Sequence, residues 1–96
     1  MKLWVDDLRP APAQYVTAKS VNEAIRLILE AEENHVEIEV LDLDHDLGDY
    51  CKDGGDAIKL LDWLAERGTL YQVRIHTANP VGRANMERMI NRYWNK

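Results

Sequence analysis

Three short stretches hold most of the titratable chemistry of this chain: Asp6-Asp7 with Arg9, Asp44-His45-Asp46-Leu47-Gly48, and His76-Thr77-Ala78-Asn79-Pro80. Each follows a short apolar run that reads as a β-strand, so polar groups recur at the ends of three strands. Ligands of open parallel sheets sit beyond the carboxyl ends of the strands, which brings the three stretches to one edge. Carboxylates gathered there repel. A hard cation with oxygen ligands, Mg²⁺ or Mn²⁺, relieves the repulsion, as does raising one pKa. His45 and His76 follow neighbouring strands and can flank a bound phosphate as general base and general acid near neutral pH. The competing reading has Asp6, Asp7 and Asp46 capping turns and each histidine satisfying backbone groups. Three strand ends coinciding favours a site. Asp42 is read instead as a strand-flank residue or the partner of a cation, outside the site.

Residues suited to binding substrate surround this cluster. Thr77 can donate its hydroxyl to a phosphoryl oxygen, and Pro80 holds Asn79 extended so that its amide is aimed into the crevice. The N–H groups that open the last helix, with Arg83, make an anion seat. Arg9 offers the same from the first loop or pairs with Asp7. Asp46 and Asn85, the latter in the first turn of that helix, complete the expected phosphate and substrate contacts.

Local patterns supply the elements that must position these groups. Lys2 to Val5 and Tyr15 to Ala18 read as short strands. Ser20 with Glu23 forms a capping box, and Val21, Ala24, Ile25, Ile28 and Leu29 share one face of a helix over 20–33. Val36 to Leu43 reads as a central strand covered on both faces. Gly55 to Glu66 has helical spacing and stops at Gly68, Tyr71 to Ile75 is a strand, and Gly82 to Trp94 is the last helix. Trp63, Met86 and Met89 fall at core spacing, His35 is assigned to the surface, and Asp49 to Gly55 reads as a polar loop beside the site. The alternation predicts a three-layer α/β domain over 1–96 with a mostly parallel sheet. One joint is awkward: only Leu8 to Gln14 separate the first two strands, whereas a parallel crossover usually takes about a dozen residues. Either a helical turn fills the gap or the second strand frays.

Composition narrows the function classes. The chain has 96 residues and a formal net charge of -5, so extended duplex binding, which needs Lys and Arg to neutralise phosphates, is not expected. Acidic residues crowd Glu30 to Asp56 around the single basic Lys52, whereas Arg83, Arg88, Arg92 and Lys96 face only Glu87 near the C-terminus. Apolar runs are too short to span a bilayer, and lone Cys51 makes neither an internal disulfide nor a CxxC pair. A cytoplasmic protein in a reducing compartment is the expectation.

The acidic pair Asp6-Asp7, Asp44 after the central strand and Thr77-Ala78 after the next resemble response-regulator receiver domains. The combination of Val5-Asp6-Asp7-Leu8-Arg9-Pro10, Leu43-Asp44-His45-Asp46-Leu47-Gly48 and His76-Thr77-Ala78-Asn79-Pro80-Val81-Gly82 with Asn85-Met86 more closely resembles the cyclic-phosphate-processing receiver domain. That resemblance implies a truncated, flavodoxin-like sheet of order 2-1-3-4 without a full first helix, the fifth strand or its lysine. By it, Asp6, Asp7 and Asp44 would hold Mg²⁺ or Mn²⁺, with Asp44 the phosphoacceptor of an ordinary receiver. The implied activity is a metal-dependent phosphoesterase acting on cyclic phosphate ends through His45, His76 and Asp44. Its substrate would be a phosphate-ester small molecule or an RNA terminus. The alternative is a degenerate receiver that is phosphorylated or binds Mg²⁺ without turnover.

Overall fold

The computed structural model describes residues 1–94. Strands β1 (Lys2–Val5), β2 (Tyr15–Ala18), β3 (Val40–Leu43) and β4 (Val73–Ile75) form one sheet in the order β2-β1-β3-β4, every pair parallel. Helices α1 (Val21–Glu33), α2 (Ile58–Arg67) and α3 (Pro80–Tyr93) follow β2, β3 and β4. This is the compact α/β receiver-like arrangement that the sequence predicts, with a sheet wholly rather than mostly parallel. Leu3, Val5, Leu41 and Leu43 from the sheet pack with Ile28, Leu61, Leu64 and Met86 from the helices into one core, each fully buried. Parallel registers of β1 with both neighbours then bring all strand ends to a common edge.

The short joint between β1 and β2 is closed without a helix, and β2 is paired along its whole length. Strands of four residues need little chain to return. Gln14 takes a left-handed φ of 72° and Tyr15 N donates to Pro12 O, turning the chain into β2. Trp4 braces the return: its Nε1 donates to Arg9 O at 3.0 Å and its ring meets Tyr15 edge-on.

The predicted boundaries shift at four places. Strand β3 begins at Val40 rather than Val36, because the preceding residues lead the chain out of α1: His35 is left-handed (φ 57°), His35 N donates to Glu32 O, and Val36 N donates to Ala31 O. That pair of bonds is a Schellman ending, and it holds 35–36 outside the sheet. Helix α2 begins at Ile58 rather than Gly55, since Gly54 and Gly55 have φ of 106° and 92°. Helix α3 begins two residues early, because Pro80 serves as its first residue and Asn79 as its N-cap. Strand β4 covers only Val73–Ile75. The loop after β3 contains a short 3₁₀ turn (Gly48–Lys52) tied to the start of α1, where Asp53 accepts from Ser20 Oγ (2.7 Å) and Asn22 Nδ2 (3.0 Å).

Candidate active site

The sheet edge gathers the acidic residues as expected. Asp6, immediately after β1, is 1% exposed, and all its acceptor positions are engaged. Its Oδ1 accepts from Leu8 N (2.9 Å) and Arg9 N (3.0 Å); its Oδ2 lies 3.2 Å from Arg9 Nε and 2.9 Å from His76 Nε2. Burial raises the Asp6 pKa, but the two backbone N–H donors and His76 outweigh it and hold the carboxyl below its ordinary range. Asp44, after β3, accepts from His45 N at Oδ1 (2.8 Å) and stands 3.4 Å from Arg9 Nη2 at Oδ2. Arg9, half exposed, thus bridges Asp6 and Asp44 and donates to His76 O at 2.9 Å.

Asp7 has no hydrogen bond or ion pair among the described residues. One carboxylate oxygen each from Asp6, Asp7 and Asp44 lies within 4.8 Å of the others. Gly48 leaves room for this group: a Cβ there would come 2.4 Å from Asp7 Oδ2, and its φ of 55° already disfavours a side chain. The donor set is all oxygen and includes the unpaired carboxylate of Asp7, which fits a hard divalent cation.

The two histidines have unlike surroundings. His76 lies between Asp42 and Asp6, with Nδ1 2.6 Å from Asp42 Oδ1 and Nε2 2.9 Å from Asp6 Oδ2. Its ring stacks on Trp4, centroids 3.6 Å apart and planes within 5°. Both ring nitrogens are thus occupied by carboxylates within the fold, and neither is open to substrate. His45 is tethered at one nitrogen only: Nδ1 lies 2.8 Å from Asp46 Oδ1, while Nε2 has no partner among the described residues. Asp46 is held below its ordinary pKa first by the His45 hydrogen bond, with burial opposing and Asn79 assisting. A carboxylate that orients an imidazole through Nδ1 leaves Nε2 positioned for proton transfer.

Residues 1–92 match the family of cyclic-phosphate processing receiver domains. The chain belongs to that family. No curated protein and no solved structure matches the chain. Among the described residues of this receiver, no helix is long and apolar enough to cross a membrane.

The remaining predicted contacts of this receiver have partners within the fold. Asn79 caps α3, its Oδ1 accepting from Val81 N (3.1 Å) and Gly82 N (3.0 Å), while its Nδ2 donates to Asp46 Oδ2 (3.0 Å). The expected anion seat at that helix start is therefore engaged by its own cap. Thr77 Oγ1 accepts from Asn79 N, Arg83 Nη2 donates to Ile75 O, and Asn85 Oδ1 accepts from Arg88. Of the predicted phosphate contacts, Arg9 and Asp46 alone touch the acidic trio or the histidines through their side chains, apart from Asn79 acting through Asp46. Sequence reasoning left Asp42 and Trp4 outside the site. Strand register brings them in, because Trp4 and Asp42 are directly paired across β1 and β3. Asp56, which accepts from Leu47 N, also brings a ligand atom within 4.8 Å of His45 and Asp46.

Proposed function

We propose that this receiver is a divalent-metal-dependent phosphoesterase that opens a cyclic phosphate, such as the 2′,3′-cyclic phosphate of a nucleotide or an RNA end. The carrying observation is His45, oriented by Asp46 and free at Nε2, adjoining an all-carboxylate trio. Asp7 and Asp44 would hold Mg²⁺ or Mn²⁺, with Asp6 joining if Arg9 releases its Oδ2. Such an ion, when bound, supplies Lewis-acid polarisation of a phosphoryl oxygen. His45 Nε2 accepts a proton from the attacking water as the new P–O bond forms. The P–O bond to the sugar oxygen breaks, and that oxygen leaves with a proton drawn from solvent. Arg9, anchored on the first loop, supplies a guanidinium to the phosphoryl oxygens.

A second reading rests on Asp44 alone. It stands at the end of the central strand of a receiver fold beside Arg9, as a phosphoacceptor would, and the domain would then signal without turnover. One assay separates the readings: a 2′,3′-cyclic nucleotide with Mn²⁺ or with EDTA, using the native chain, Asp44→Asn and Asp7→Asn. Metal-dependent ring opening, reduced by about 100-fold in both variants, supports the phosphoesterase. No ring opening, with stable labelling of Asp44 by a small phosphodonor, supports the signalling reading.

A further inference from the structure

Gly82 stands in the first turn of α3 and is buried, yet its backbone does not call for glycine: it is not among the residues with positive φ. Glycine inside a helix is a poor former, so its presence there needs another reason. The reason lies across the turn. A Cβ built on Gly82 would meet three ring atoms of His45, Cγ at 2.4 Å, Nδ1 at 2.7 Å and Cδ2 at 2.8 Å. These belong to the near half of the imidazole, so no far-end rotation relieves the overlap. The ring cannot easily retreat either, because His45 N donates to Asp44 Oδ1, His45 O accepts from Ala57 N, and Nδ1 is held by Asp46. Asp46 is itself tied to the same helix turn through Asn79 Nδ2.

We infer that Gly82 is a positioning residue whose missing side chain is the seat of the His45 ring. The first turn of α3 thus places the ring twice, through Gly82 beneath it and through Asn79 and Asp46 at Nδ1. That seat leaves Nε2 as the atom turned toward substrate, an inference that rests on the reading of His45 as the proton acceptor.

The test is a double-mutant cycle of Gly82→Ala and His45→Ala, read by melting temperature and by turnover of a 2′,3′-cyclic nucleotide with Mn²⁺. In the native background Gly82→Ala lowers Tm by about 5 °C or more through overpacking. In the His45→Ala background the same change raises Tm by roughly 4 °C, because alanine favours the helix once the ring is gone. Turnover measured well below both melting points falls about 100-fold in kcat for Gly82→Ala with KM unchanged, and the double variant is no slower than His45→Ala alone. Equal Tm shifts in the two backgrounds overturn the seat. Native kcat in Gly82→Ala overturns its positioning role. If the native chain opens no cyclic phosphate, the phosphoesterase reading falls, while opposite Tm shifts still uphold the seat.

Discussion

His45 and His76 sit at the ends of neighbouring strands in the same sheet, but the fold treats them differently. His76 is gripped at both nitrogens by Asp42 and Asp6 and covered by Trp4. His45 is gripped at one nitrogen, seated on Gly82, and open at the other. A pair that looks like an acid and a base in sequence is, in space, one imidazole held at both nitrogens and one with Nε2 unpaired among the described residues. The His76 ring ties buried Asp6 to Asp42, whereas the His45 ring is held from α3, by Gly82 directly and by Asn79 through Asp46. Identical residue types at equivalent topological positions take their roles from which ring atoms remain unpaired.

Stability breaks the comparison most sharply. His76→Ala leaves Asp6 and Asp42 without a shared donor and opens space beside Trp4, and is expected to cost about 3 kcal/mol in urea unfolding. His45→Ala removes a ring of similar exposure that is bonded at one nitrogen only, to the exposed Asp46, and is expected to cost less than about 1 kcal/mol. Similar losses for both would erase the distinction. Asp46→Ala tests the orienting half of the comparison. It should lower kcat by roughly 10- to 100-fold, since Nδ1 loses its carboxylate, with little change in unfolding free energy. Trp4→Leu removes the stacked ring under His76 and should destabilise by about 1 kcal/mol, leaving the His45 side untouched.

The smallest expected effect concerns acid. Asp6, Glu32 and Asp46 are all held below their ordinary values. For Glu32 the chief causes are hydrogen bonds from Arg67 and Tyr71; for Asp46 the chief cause is the one from His45. For Asp6, burial is opposed and outweighed by the Leu8, Arg9 and His76 bonds. A depressed folded-state pKa contributes stability above the unfolded value, and that stability is lost as pH falls through the folded one. The melting temperature should therefore hold steady from neutral pH down to the ordinary Glu value of 4.5 and fall below it. Glu32→Gln should flatten part of that fall. A Tm independent of pH down to about 3 would contradict the assigned ion pairs.

Much of this was legible in the chain. Ser20 caps α1 as read, with Glu23 N donating to Ser20 Oγ, and the strand-end motifs did converge on one edge. Asp42 escaped because its role depends on register: it is an interior residue of β3, and only its pairing with Trp4 and the neighbouring β4 brings it under His76. Asn79-Pro80 carried a readable cap signal, since Asn at N-cap followed by Pro at N1 starts helices. Asn79 is extended before Pro80 as read, but its amide is engaged by the first turn of α3 and by Asp46. His45 has its carboxylate partner Asp46 beside it in sequence, but no local signal marks His76, whose two carboxylates come from β3 and the end of β1, or the glycine of α3 that seats the His45 ring.

The central claim, that His45 transfers the proton while His76 secures the acidic cluster, is tested most directly by titrating Mn²⁺ against cyclic-nucleotide turnover in His45→Ala and His76→Ala. The account predicts that His45→Ala loses at least about 100-fold in kcat at every metal concentration, with the half-saturating Mn²⁺ unchanged. His76→Ala should instead need roughly 10-fold or more Mn²⁺ and regain most of its kcat at saturation. Equal, metal-independent losses in both variants would mean that both imidazoles move protons, and would contradict it.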